Sequence, residues 1–286
     1  MTLLGLGTAR LNGMRSQETF TRRRWWRAGT GGPLYYQHPQ GDIVCTDALE
    51  FLHQLRPRCA DVVFLDPPFN LGKEYARDSK HSDSMREDDY LHYMQQVILR
   101  CCDLLADGGA LYLYHIPRLA LALSPSLSNR LNFRHWIAIA MKNGFVHGKA
   151  LYPAHYALLY FTKGKPRHFH RPKLRPPECR RCHRPIKDYG GYKRFVIDGV
   201  NLSDYWDDIS PVRHRKYKYR RANELPQTIV ERVVAISGAR NALLIDPFAG
   251  TGACVGAAVA HGMRFAACDR EIEACRIMKE RLRPRR

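Results

Sequence analysis

Bulky apolar residues along this chain come in short runs. Ile43-Val44-Cys45, Val62-Val63-Phe64-Leu65, Leu111-Tyr112-Leu113-Tyr114, Trp136 to Met141, Tyr156 to Phe161, Leu243-Leu244-Ile245 and Arg264 to Cys268 each have the length of a buried strand. Helical spacing recurs between them. Thr46 to Leu52 reads as a turn and helix, and Tyr90 to Leu105 as a helix closed by Asp107-Gly108-Gly109 as its C-cap. Ile229, Val230, Val233 and Ile236 mark one face of a further helix, with Asn223 as N-cap and Pro226 in the first turn, and an Ala-rich helical run begins near Ala253. The alternation predicts an α/β fold, doubly wound, with a mostly parallel sheet and helices on both faces. Runs 136–141 and 156–161 are close enough to pair antiparallel at one edge.

Two of these strands end in an acid followed by proline. Val62 to Leu65 runs into Asp66-Pro67-Pro68-Phe69, a loop that offers a carboxylate and carbonyls and almost no donors, because proline has no N–H. Such acceptors suit an exocyclic base amine, a poor nucleophile whose lone pair is delocalised into the ring. Asp66 can take one amine proton and the Pro67 carbonyl the other, which aims the nitrogen lone pair at an electrophile. Phe69 adds a flat face for an extruded base. The plain alternative is a strand-terminating Asp-Pro turn.

The second strand, Leu243 to Asp246, is followed by Pro247-Phe248-Ala249-Gly250-Thr251-Gly252, and glycines at a strand-to-helix turn let the backbone approach a ligand. Seventeen residues after Gly252 comes Asp269, close to the offset at which an acid grips ribose hydroxyls. No G-x-G-x-x-G and no P-loop lysine is present, so a nucleoside without phosphates is expected, and S-adenosylmethionine fits that description.

With both motifs in hand, the sequence resembles the amino methyltransferases of DNA. Their catalytic motif D-P-P-Y/F is matched by Asp66 to Phe69, and their cofactor motif D-P-F-x-G-x-G by Asp246 to Gly252. The order, catalytic motif first, is similar to the circularly permuted β class, and the resemblance covers roughly residues 35 to 282. It implies direct methyl transfer from S-adenosylmethionine to a flipped-out base, adenine in preference to cytosine because the motif opens with Asp rather than Ser. It also implies that Asp47 borders the cofactor adenine, although Asp47 equally reads as a helix N-cap. Many members carry Lys-Pro where this chain has Leu225-Pro226, so no charge contact is expected from position 225. Cytosine, an RNA base, and a non-enzymatic zinc-dependent nucleic-acid binder stay open as alternatives.

Charge sharpens the partner. The 286 residues include 46 Lys and Arg against 27 Asp and Glu, a formal charge of +19 with pI near 9.8, which calls for a polyanion, most simply double-stranded DNA. Residues 163–221 hold 18 Lys and Arg against 6 Asp and Glu, a surplus of 12, interleaved with Phe169, Tyr189, Tyr192, Tyr205, Trp206, Tyr217 and Tyr219. This segment reads as a DNA-recognition insertion between a catalytic half, 35–162, and a cofactor half, 222–286. Within it Cys179 and Cys182 form a C-x-x-C that suggests zinc, with a remaining pair from His168, His170 and His183, or else two ordinary loop thiols. Residues 70–89 read as a polar lid, and 1–34 as a basic, disordered tail with an organelle-targeting reading left open. The nine cysteines suggest reduced, buried usage, and no apolar run reaches the ~18 residues of a membrane span, so a cytoplasmic enzyme is expected. The resemblance also allows a homodimer and a cognate restriction nuclease.

Overall fold

The structure is a computed structural model that describes residues 23–28, 34–70, 85–140, 151, 153–176, 178–179, 181–184, 199–210 and 224–283. Its frame is a nine-stranded sheet. In chain order the strands are β1 (Leu34–His38), β2 (Gly41–Cys45), β3 (Ala60–Leu65), β4 (Leu105–His115), β5 (Asn132–Ala140), β6 (His155–Thr162), β9 (Tyr205–Trp206), β10 (Leu243–Asp246) and β11 (Arg264–Asp269). A separate antiparallel pair, β7 (Lys173–Leu174) with β8 (Val200–Asn201), lies in the basic segment. The helices are α1 (Ala48–Gln54), α2 (Glu87–Leu104), α3 (Pro117–Ser128), α4 (Gln227–Ser237), α5 (Ala253–Ala260) and α6 (Ile272–Arg281).

Across the sheet the order is β1-β2-β11-β10-β3-β4-β6-β5-β9. The five strands from β2 to β4 are mutually parallel, and their residues are apolar on both faces because helices cover both. Two apolar layers result. One packs α1, α2 and α3 on the sheet, the other α4, α5 and α6. The chain leaves β3 for β4 in one direction and β10 for β11 in the other, so the topological switch falls between β10 and β3. A crevice opens there, outside the carboxyl ends of both strands.

The doubly wound α/β reading and the antiparallel β5–β6 pair hold, with β6 on β4 and β9 as a short outer strand. Other expectations need correction. Asp107-Gly108-Gly109 does not cap a helix: α2 ends at Leu104, and Leu105 passes straight into β4. The register between β3 and β4 shifts after Ala60↔Leu105, and Gly108 takes up the excursion at φ +77°. α4 starts at Gln227 with Pro226 in the cap position and no side-chain cap, while Asn223 lies outside the described residues.

α3 lies where the sequence reading names no element, and it carries Pro125 in its interior. Proline lacks the N–H that would bond the Leu121 carbonyl, and the Ser124 hydroxyl donates to that carbonyl instead (2.8 Å). The tail reading fails for residues 23–28. Trp25 and Trp26 are buried in the first apolar layer, Trp26 bridges Leu55, and its ring meets Phe51 edge-on at 6.0 Å. Two indoles hold more apolar surface than six residues can leave in water, and the arginines around them sit at the rim.

Candidate active site

Five parallel strands deliver their polar ends to one rim. Thr46 and Asp47 follow β2, Asp269 ends β11, Asp246 ends β10, Asp66 follows β3 and His115 ends β4. At the switch point a cleft is lined by Asp66, Asp246, Phe248, Gly250, Cys254 and Leu225, among others. The two motifs that lie 180 residues apart in sequence therefore meet across one crevice.

The glycine turn is held from both ends. The Asp246 carboxylate accepts the Phe248 N–H (3.0 Å), and the Asp269 carboxylate accepts the N–H groups of Gly250 and Glu271 (both 2.9 Å). Gly250 and Gly252 take φ of +51° and +82°, and a Cβ at Gly252 would stand 2.7 Å from the Met278 side chain. Asp246 is buried, and burial pushes its carboxyl up to about 7. Hydrogen bonds from the Cys254 thiol and Phe248 N–H act against that rise, while the charges of Asp66 and Asp269 add to it. A crowd of carboxylates round a glycine cradle suits a ligand with a fixed positive charge, which would relieve their repulsion.

The D-P-P-F loop is anchored more tightly than its sequence suggests. Asp66 is half-buried, and its charge adds to the effect of burial in raising the phenols of Tyr114 and Tyr156, so both rings stand near it. Phe69 keeps 8% of its surface and stacks on the His115 imidazole at 5.0 Å, with Tyr114 at 5.8 Å and Tyr156 at 5.7 Å around it. One face of Phe69 is thus occupied by His115. The Tyr90 hydroxyl, from α2, donates to the Pro68 carbonyl (2.8 Å) and also touches His115 Nε2 (2.8 Å). At the loop's far side Asn70, at φ +52°, bonds both the N–H and the carbonyl of Met85 through its side-chain amide. The lid reading for 70–89 falls largely on residues 71–84, outside the described residues. Neither Tyr90 nor His115 was singled out from sequence.

A family described as DNA methylase matches residues 60–280, which takes in both strand-end motifs. The chain belongs to that family. It is similar to Type II methyltransferase M.BamHI of Bacillus amyloliquefaciens, 39% identical over 251 residues, which are 87% of this chain and 58% of that protein. Type II methyltransferase M.HpaI of Haemophilus parainfluenzae is 26% identical over 215 residues, 73% of this chain and 64% of that protein. The chain thus spans less than two thirds of the length of either. In fold it is similar to the structure described as PvuII DNA methyltransferase (cytosine-N4-specific), at TM-score 0.66 and 11% identity, over 88% of this chain and 90% of that one.

In this member of the DNA methylase family, Asp47 takes its N-cap form. One carboxylate oxygen accepts the Leu49 N–H (2.8 Å) and the other the Tyr93 hydroxyl (3.1 Å). It flanks the rim beside Asp269, whose carbonyl accepts the Thr46 N–H. The zinc expectation is not met. Cys179 and Cys182 share a turn in which the His183 N–H donates to the Cys179 carbonyl (2.8 Å). Among the described residues, though, no three His, Cys, Asp or Glu gather to hold a metal, and His168 and His170 do not join the pair. Of the aromatics in the basic segment, Trp206 is buried as part of β9 with Arg232 over its ring, and Tyr205 is exposed. Tyr189, Tyr192, Tyr217 and Tyr219 lie outside the described residues. All nine cysteines are free, and no described helix is long and apolar enough to cross a membrane.

Proposed function

We propose that this protein transfers a methyl group from S-adenosylmethionine to the exocyclic amine of a flipped-out base in double-stranded DNA, with adenine as the base. One observation carries the reading. Asp66, which opens a donor-poor loop, faces Asp246 and a glycine cradle across the switch-point crevice of a chain in the DNA methylase family. The cofactor is a nucleoside bearing a sulfonium and no phosphates, which suits carboxylates and glycines without a lysine. Asp246, Pro247, Phe248, Gly250 and Gly252 would cradle it, with Asp269 at the ribose and Asp47 near its adenine. When bound it supplies the methyl group. Asp66 and the Pro67 carbonyl hold the two amine protons of the target, and Phe69, backed by His115, walls the slot into which the base turns. The basic segment 163–221 neutralises phosphates. The fold neighbour described as cytosine-N4-specific supports N4 of cytosine as the second reading.

The test is the product. After incubation of unmethylated duplex DNA with S-adenosylmethionine, digestion to nucleosides and mass spectrometry should give adenine methylated on its amine. Asp66→Ala removes an interaction of the kind worth ~3 kcal/mol or more in a transition state, so the rate should fall at least ~100-fold while cofactor affinity holds. Asp269→Ala should weaken cofactor binding first. Methylcytosine as sole product would exchange the base, and an Asp66→Ala variant of full activity would overturn the mechanism.

A further inference from the structure

The catalytic loop is tied to the sheet by a chain of hydrogen bonds whose direction the geometry fixes. The backbone N–H of Ile116 donates to His115 Nδ1 (2.8 Å), so the neutral imidazole carries its proton on Nε2. That Nε2–H points at the Tyr90 oxygen (2.8 Å), and the Tyr90 O–H in turn donates to the Pro68 carbonyl (2.8 Å). His115 is fully buried and Tyr90 2% exposed, so the bond between them is shielded from water. Burial, followed by the nearby Arg118 charge, pushes the imidazole down to about 3, so it stays neutral throughout the working range of an enzyme. The same ring stacks on Phe69 at 5.0 Å and 26°. His115 thus meets the loop twice, through Tyr90 at Pro68 and directly at Phe69.

We propose that Tyr90 and His115 are positioning residues for the amine-binding loop. By engaging the second proline carbonyl and fixing the Phe69 ring, they hold in place the loop whose Asp66 lines the crevice. Neither residue touches the reacting atoms. The inference rests on the function proposed above. Its chemical content is that the Pro68 carbonyl is already taken by Tyr90, so the amine is left to Asp66 and the Pro67 carbonyl.

Two measurements test it. In the wild-type protein, 15N NMR of the histidine rings should show one neutral imidazole protonated at Nε2, with a slowly exchanging proton that becomes exchangeable in Tyr90→Phe. An Nδ1-protonated His115 would overturn the proposal whatever the activity. In methyl transfer, Tyr90→Phe should lower kcat about 10- to 100-fold, as small misplacements of reacting groups do, with the cofactor Kd within about twofold and the protein fully folded at the assay temperature. His115→Ala should behave likewise. His115→Gln places an amide N–H near the lost Nε2–H and should recover most of the rate, which a purely structural role of the imidazole would not produce. Unchanged kcat in Tyr90→Phe beside an active wild type would sink the positioning role alone. A wild type that transfers no methyl group would instead count against the parent function, leaving the hydrogen-bond chain to be judged by NMR.

Discussion

Removing residues 23–28 should unfold or nearly unfold the protein, although they precede the first strand. Trp25 and Trp26 keep 2% and 8% of their surface, and replacing one such ring with alanine typically costs about 3–5 kcal/mol. The segment also completes a buried polar cluster. Asp42 is wholly inaccessible, and its carboxylate accepts the Trp26 indole N–H (2.8 Å), the Arg23 guanidinium (3.2 Å) and the Gln37 amide (3.0 Å). Deletion leaves only Gln37 of these three and strands a buried charge, a loss of about 3–5 kcal/mol where measured elsewhere. The two costs share neighbours and will not simply add, but together they rival the roughly 5–15 kcal/mol by which a domain is stable. Urea melts of chains beginning at residue 23 and at residue 29 should therefore differ by at least ~4 kcal/mol, or the shorter chain should show no cooperative transition. Single substitutions divide the effect. The Trp25 indole nitrogen has no partner among the described residues, so Trp25→Phe should cost less than Trp26→Phe, which breaks the bond to Asp42. Equal melting midpoints for the two truncated chains would refute the packing argument.

Gly252→Ala must hold φ near +82° with its Cβ against Met278, a strain of roughly 1–2 kcal/mol. Calorimetry should record about a tenfold loss of cofactor affinity. Asp246 gives a pH signature of known sign. Its folded value of about 7 lies above the ordinary 3.8, so its contribution to the stability of the ligand-free protein is full below pH ~4 and is lost as pH rises to about 7. Binding of the cationic cofactor should strengthen over the same rise, and Asp246→Asn should flatten both curves in thermal melts and calorimetry. If about six phosphate contacts come from the basic segment, log affinity for duplex DNA should fall against log salt with a slope near −5, and a flat line would remove DNA as the partner.

Strand-end acids were legible because a buried parallel strand writes a plain signal, an apolar run stopped by a polar residue. The two carboxylates that face the crevice, Asp66 and Asp246, could be found that way. His115 ends β4 by the same pattern, directly after Leu111-Tyr112-Leu113-Tyr114, and was missed because a lone histidine spells no motif. Tyr90 carried still less signal. It fills an ordinary core position of α2, and only the three-dimensional path of that helix brings its hydroxyl to Pro68. Spacing rules misjudged Asp107-Gly108-Gly109 because the same residues that stop a helix also serve a bulge at the start of a strand. For residues 23–28 the tail reading fails because arginines and glycines around Trp25 and Trp26 spell a solvated segment, while the core neighbours of the two rings come together only in three dimensions. Among the described residues the C-x-x-C gains no third ligand, because its spacing by itself supplies only half of a tetrahedron.

The interleaved strand order has a consequence for biosynthesis. β10 and β11 lie between β2 and β3, and the β2–β11 pairs join residues about 220 positions apart. While the ribosome is still short of residue 243, β2 and β3 have no partner on their facing edges, and two apolar strands wait with open ladders. Contacts of such long sequence separation make for slow folding, and unpaired edges in the interval invite association with other chains. The sheet closes only after synthesis has passed β11. A ribosome stalled in the basic segment would therefore release a half-sheet with a ready template for aggregation, not a smaller folded domain.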